Sequence, residues 1–169
     1  MKKWSKKTAL REMGPEALDK QDVAILRILQ NQGRISFAEL ANQVGMSTTP
    51  CWRRVQALEK AGIIKGYAAL VDPRKIGIGI TVFLNVRIEL KRASEFELAV
   101  GLREEIVQCF VVAGSQDYLL QVMTPDMDEF DYLLRQVIFK MPGVQRIDST
   151  FSLKTIKQGP AVPTRFAER

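Results

Sequence analysis

The feature that most constrains this chain is a helix stop followed almost at once by a new helix start. Ser36 and Glu39 have the S-x-x-E spacing of a capping box, and Phe37, Leu40, Ala41 and Val44 repeat at intervals of three, one and three. That pattern predicts a short helix over 37–44, stopped by Gly45. Only Met46 separates the stop from Ser47, a fresh N-cap, and a third helix is expected from Thr48 to about Ala61. Pro50 falls in its first turn, where a missing N–H removes no helical hydrogen bond. Two short helices joined by a Gly-containing turn of three or four residues are the sequence form of a helix-turn-helix. Upstream, Asp19 is the expected N-cap of a first helix, with Asp22 three places on and Val23, Ile25, Leu26 and Leu29 on one face until Gly33. Downstream, Gly62 closes the third helix and 63–71 is expected to be a strand, giving a wing-like edge.

A helical wheel at 100° per residue separates the third helix into two sides. Cys51, Val55, Leu58 and Gly62 share a stripe that should pack on the first two helices. Thr49, Trp52, Arg53, Gln56 and Lys60 fall on the other side, with Thr48 at the tip. That side is polar, basic and aromatic near its N-terminal end, where a recognition helix meets base edges. Arg53 suits a bidentate pair with guanine, and Gln56 suits adenine. Thr48 and Thr49 offer hydroxyls to phosphate or methyls to thymine. Arg54, nearer the flank, suits a phosphate or a carboxylate on the second helix as well as it suits a base. Trp52 either contacts DNA or covers the surface of the motif half-buried, and Cys51 is expected to be a small core residue.

Charge and composition support DNA as a partner and disfavour catalysis. The net formal charge is +6, but residues 1–75 hold 14 Lys and Arg against 7 Asp and Glu, whereas residues 76–169 hold 11 against 12. A basic first half joined to a near-neutral second half suggests that one part meets a polyanion. Lys2, Lys3, Lys6, Lys7 and Arg11 form a basic extension over 1–17 that either follows the phosphate backbone or stays a plain tail. The absence of histidine removes Ser-His-Asp and Cys-His arrangements and most catalytic zinc sites, so no catalytic residue, metal or cofactor is expected. Two distant cysteines, no signal-peptide pattern and no apolar run long enough to span a bilayer lead to an expected cytoplasmic protein without a membrane partner.

The second half has a different rhythm. Asp72-Pro73-Arg74-Lys75 with Gly77 and Gly79 makes a linker, and 80–90 alternates as a strand with Val82, Leu84, Val86, Ile88 and Leu90 on one face. Ser94 and Glu97 resemble a capping box opening a helix through about Glu105, strands are expected over 107–113 and 118–123, and Asp126 and Glu129 open a last helix. Phe130, Leu133, Leu134, Val137, Ile138 and Met141 give that helix an amphipathic stripe, Pro142-Gly143 ends it, and 144–153 is the final strand. Strand-helix-strand-strand-helix-strand is the ferredoxin-like βαββαβ order, with helices on one sheet face. The other, partly apolar face needs a partner, most simply its own copy, so a homodimer is expected. The whole is an α+β chain: a basic extension over 1–17, a helix-turn-helix domain over 18–66, strand and linker over 67–79, an effector-binding and oligomerisation domain over 80–157 and a tail over 158–169.

The segments LDKQDVAILRILQNQGR, FAELANQVGMSTTPCWRRVQALEKAGIIKGYAALVDPRKIG and AGSQDYLLQVMTPDMDEF with the later MPGV resemble the leucine-responsive regulatory protein/AsnC (Lrp/AsnC) family of transcription regulators. The resemblance covers roughly residues 18–157, in order. It implies a winged helix-turn-helix that binds double-stranded DNA through its third helix, then a domain similar to the amino-acid-binding ACT fold, in dimers that associate further to tetramers or octamers. It also implies a small-molecule effector, an amino acid, held between dimers near the loop after the second strand and near the last strand. Carried over by position, this implicates Gly114, Gln116 and Asp117 of the loop, Met127 opening the last helix, and Thr150 and Ser152 on the final strand. Gly114 either admits a ligand close to the backbone or makes a plain tight turn. Asp117 either faces the effector's ammonium or orients the loop. Gln116 stands where many members carry an aromatic residue, so it bears on pocket polarity. The alternative to a ligand-modulated, sequence-specific regulator is an architectural DNA-binding protein with little ligand response.

Overall fold

The structure, a computed structural model, describes residues 18–159 and 161–167. The basic extension over 1–17 lies outside the described residues. The described chain forms two compact units, one running to Ala69 and taking in the segment from Gln158 onward, the other Leu70–Lys157.

In the first unit, α1 (Lys20–Leu29), α2 (Phe37–Val44) and α3 (Thr48–Lys60) form in sequence. The expected capping box of Ser36 with Glu39 closes, and Asp19 caps α1 as expected, with Asp22 returning a bond that makes a second box. α1 stops at Leu29, earlier than Gly33 suggested. α2 and α3 both end in a 6→1 and 5→2 hydrogen-bond pair around a left-handed glycine. Met46 N–H donates to Ala41 O and Gly45 N–H to Asn42 O; Ile63 N–H donates to Leu58 O and Gly62 N–H to Glu59 O. Ile25, Leu40, Ala41, Cys51, Val55 and Leu58 form the core of the unit. Burial pushes the Cys51 thiol pKa up, as suits a small core residue.

One expectation for this unit fails. No strand forms over 63–71; the segment has no regular structure. A strand needs a partner for its ladder, and no other strand lies in the described part of this unit. The segment is held by side chains instead: Ile64 packs against the core and Tyr67 hydrogen-bonds to α3. At the other end of the chain, Val162 N–H donates to Gln30 Oε1 at 2.6 Å, and a short 3-10 turn, Thr164–Phe166, follows.

The second unit is a four-stranded antiparallel sheet in the order β2-β3-β1-β4: β1 (Ile80–Ile88), β2 (Ile106–Val111), β3 (Tyr118–Thr124) and β4 (Val144–Phe151). α4 (Ala93–Gly101) and α5 (Met127–Tyr132) complete the βαββαβ order. Val82, Leu84, Val86, Leu120 and Val122 point to the covered face, against Phe96 and Val100 of α4 and Phe130, Leu133 and Ile138 of the last helix.

Two local expectations are corrected. Ser94 does not cap α4, which begins at Ala93 after a 3-10 turn over Leu90–Arg92 with Arg92 at the cap position. Glu97 reaches the sheet instead, accepting a 2.7 Å hydrogen bond from the Tyr118 hydroxyl. The helix opened by Asp126 also changes pitch, passing from α5 through a π turn (Leu133–Val137) to a 3-10 turn (Ile138–Lys140).

Candidate DNA-binding and effector sites

α3 buries Cys51, Val55 and Leu58 and leaves Thr48, Thr49, Trp52, Arg53, Gln56 and Lys60 exposed. This is the division the wheel requires: the inner stripe fixes the roll of the helix, and that roll fixes which side chains face outward. Trp52 is 47% exposed, so half the indole lies open. Arg53 forms no hydrogen bond or ion pair among the described residues. Ser47 has the extended backbone of an N-cap but no side-chain cap bond, and its exposed hydroxyl sits beside Thr48 and Thr49. The first-turn N–H groups there are the kind of donor a phosphate oxygen takes.

Arg54 behaves differently. Its Nη1 lies 2.7 Å from Asp19 Oδ2 and 2.7 Å from Asp22 Oδ1, which ties α3 to the first turn of α1. Of the partners that the sequence allowed, base, phosphate or carboxylate, the folded chain supplies carboxylate, and from the start of α1 rather than from α2. The hydrogen bond from Asp22 N–H, together with Arg54, holds the Asp19 carboxyl below its usual range. Gln56 has a neighbour outside the sequence-based candidates: its Nε2 donates to Glu59 Oε2 at 2.8 Å. The i, i+3 spacing of Gln56 and Glu59 was a usable signal. Nothing in the sequence pointed to Tyr67, whose hydroxyl donates to the other Glu59 oxygen.

In the second unit the loop between β2 and β3 is drawn onto the sheet. Asp117 Oδ2 accepts from Ile88 N–H at 2.9 Å, and Asp117 N–H donates to Val86 O at 3.0 Å. Asp117 therefore orients the loop, the second of its two expected roles, and its other carboxylate oxygen has no hydrogen-bond partner among the described residues. Gly114 has φ +157°, a conformation side chains rarely adopt, and open space where a Cβ would stand. Gln116 Nε2 donates to Asp148 Oδ2 at 3.0 Å, and its Oε1 is buried without a donor among the described residues. Such an acceptor calls for a partner. Asp148, also absent from the sequence-based candidates, is held by Arg146 at 3.0 Å.

The six effector candidates do not converge in one chain. Asp117 and Gln116 lie at the end of the sheet where Tyr118 pairs with Val86 and Asp148 with Asn85. Thr150 pairs with Phe83, Ser152 N–H donates to Thr81 O, and Met127 follows Thr124, which pairs with Ile80. Along a strand rising about 3.4 Å per residue, Ser152 and Met127 stand about 14–20 Å from the loop.

Comparison with known proteins gives the same division. Residues 18–65 match the pattern of a winged helix-turn-helix DNA-binding domain, and residues 81–162 match the Lrp/AsnC ligand binding domain. The leucine-responsive regulatory proteins of Escherichia coli strain K12 and Salmonella typhimurium are 40% identical over 146 residues, covering 83% of this chain and 88% of theirs. A transcriptional regulator from Neisseria meningitidis, solved in complex with L-methionine, superposes with a TM-score of 0.85 at 37% identity, covering 88% of this chain and 98% of that one. A feast or famine regulatory protein from Mycobacterium tuberculosis, also complexed with L-methionine, gives 0.81 at 28% identity, over 86% of this chain and 99% of that one. Segment order, caps, sheet topology and these likenesses agree: the chain belongs to the Lrp/AsnC family of transcription regulators.

Proposed function

We propose that the protein reads specific DNA sites through the outward side of α3 and changes its binding or assembly when an amino acid occupies the effector domain. The observation that carries this is the division of α3: three buried residues lock its roll, and Thr49, Trp52, Arg53 and Gln56 are thereby held outward in one array. Arg53, with no internal partner among the described residues, has its donor fork available for guanine O6 and N7. Ser47, Thr48 and Thr49 at the helix tip take phosphate oxygens and set the register. Arg54 supports this surface from behind by fixing α3 against α1.

Methionine is the first effector to try, because two similar proteins were solved with it. Gly114, Gln116 and Asp117 from one copy, with Met127, Thr150 and Ser152 from another, make the site. A second copy is needed because one chain holds Met127 and Ser152 about 14–20 Å from the loop. The orphaned Gln116 Oε1 and the remaining Asp117 oxygen suit an α-ammonium group. A homodimer or larger assembly working in the cytoplasm follows from this reading.

The test is DNA binding by full-length protein to genomic operator fragments and to random DNA, with and without L-methionine. Arg53→Ala should weaken operators by roughly 1–3 kcal/mol and random DNA far less. Equal losses on both would remove the base-reading role, and discrete sites failing to appear at all would favour an architectural protein. Gln116→Leu should abolish the response to methionine while leaving ligand-free operator binding intact.

A further inference from the structure

Gln56 and Glu59 stand about one turn apart on α3, and Tyr67 lies past the helix end in the segment that forms no strand. Each oxygen of the Glu59 carboxylate has a donor: Gln56 Nε2 on Oε2 at 2.8 Å and the Tyr67 hydroxyl on Oε1 at 2.9 Å. A carboxylate only accepts, so the Gln56 amide must turn its nitrogen toward Glu59 and its oxygen away. Tyr67 is 53% exposed and lies beside Gly33, its Cδ1 3.8 Å from where a Cβ there would stand, so the Glu59 hydrogen bond is its polar anchor among the described residues. Burial of the phenol and the adjoining Glu59 carboxylate push its pKa up to about 12, so it remains a donor at any physiological pH.

The consequence is chemical. An unrestrained glutamine can present either end of its amide to a base. Here one amide hydrogen is spent on Glu59, and a negative carboxylate lies next to the outward oxygen. The outward Gln56 oxygen and the carboxylate beside it place acceptors together at that point of α3, ahead of Lys60. In the major groove the complementary donors are the exocyclic amino groups of adenine and cytosine, whereas guanine O6 and N7 and thymine O4 are acceptors. We propose that Tyr67, acting through Glu59, is a positioning residue that makes Gln56 select an amino-bearing base, adenine or cytosine, at one position of the operator. The proposal rests on α3 entering the major groove with Gln56 toward the base edges.

The experiment selects binding sites from a randomised operator library with full-length wild type, Gln56→Ala, Glu59→Gln and Tyr67→Phe, with thermal melting of each. Gln56→Ala should flatten the preference at one base-pair position. Tyr67→Phe keeps the ring and its packing, and should erode the adenine or cytosine preference at that same position about fivefold, leaving other positions and random-DNA affinity unchanged. Glu59→Gln should admit guanine or thymine there, since the charge that repels their acceptors is gone. A plain structural role for Tyr67 would instead lower the melting temperature and weaken all positions alike, and that result overturns the proposal. If Gln56→Ala alters a position that Tyr67→Phe leaves untouched, the relay is wrong while groove entry stands. If Gln56→Ala changes no position, base reading by Gln56 and the relay fall together.

Discussion

Arg53 and Arg54 are adjacent, chemically identical and oppositely placed. One lies on the outward side of α3 with no internal partner among the described residues; the other reaches the carboxylates of Asp19 and Asp22. The sequence showed that Arg54 sits at the flank of the helix and that a carboxylate was a fitting partner. It could not show which helix supplies the carboxylate, because that depends on how α1 crosses α3. The same blindness explains Glu97: its spacing from Ser94 fits a capping box, but a tertiary donor, the Tyr118 hydroxyl, takes it. The clamp at Arg54 predicts a pH signature. Asp19→Asn keeps a good N-cap residue and removes the charge. The Asp19 carboxyl is held low in the folded state, so its contribution is complete above its unfolded pKa of about 3.9 and is lost as pH falls through the lower folded value. The pair is partly exposed and screened, so the wild type should exceed Asp19→Asn by only about 0.5 kcal/mol at pH 7. In melts followed from pH 7 to pH 2 that difference should shrink to nothing; a gap that persists at the acid end would show that the ion pair is not its source.

The elements with their own stop signals were the most legible. α2 was bounded correctly because Ser36 and Glu39 start it and Gly45 ends it within the chain's own local chemistry. The alternation expected of β1 likewise survives as an alternation of buried and partly buried residues. The strand expected over 63–71 failed for want of a distant partner to pair with, whereas the last helix changes pitch over Leu133–Val137 despite an unbroken apolar stripe. The two glycines that end α2 and precede β4 make a comparison at this scale. Gly45 has φ +71° and open space around a would-be Cβ, so Gly45→Ala should cost about 1 kcal/mol for the left-handed backbone alone. Gly143 has φ +78°, and there a Cβ would stand 3.0 Å from Arg92 Cβ and 3.3 Å from Glu89 O. Its carbonyl also accepts from Glu89 N–H at 2.8 Å, so the strand cannot drift away without losing that bond. Gly143→Ala should therefore cost about 2–3 kcal/mol, at least twice the Gly45 value. Urea unfolding of the two variants gives the comparison directly, and equal losses would mean that the β4 start yields more easily than its contacts suggest.

At the scale of the molecule, the charge split between the halves was legible in the sequence, and so was the sheet with one face covered. The effector candidates were legible only as a set of positions, because Met127 and Ser152 sit toward the other end of the sheet from Gln116 and Asp117, and a single sequence carries no sign of what could bring them together. The sheet face away from the helices makes that need concrete. On it lie Phe83 of β1, Leu119 and Met123 of β3 and Phe110 of β2, all partly or largely exposed, and no described element of the unit covers them. Water-facing aromatic and aliphatic side chains on adjacent central strands are the ordinary sign of a face that meets its own copy. Leu119→Glu places a charge in the middle of that face without touching the packed side of the sheet. A symmetric dimer carries the change twice, so a cost of about 1.5 kcal/mol per copy weakens association roughly a hundredfold. Light scattering coupled to size exclusion should then report monomer at concentrations where wild type is assembled, with circular dichroism unchanged. Because one chain cannot bring Gln116 near Ser152, the same variant should also lose its response to methionine. Retention of both the assembled mass and the methionine response in Leu119→Glu would mean that the second copy joins elsewhere and that this face serves another partner.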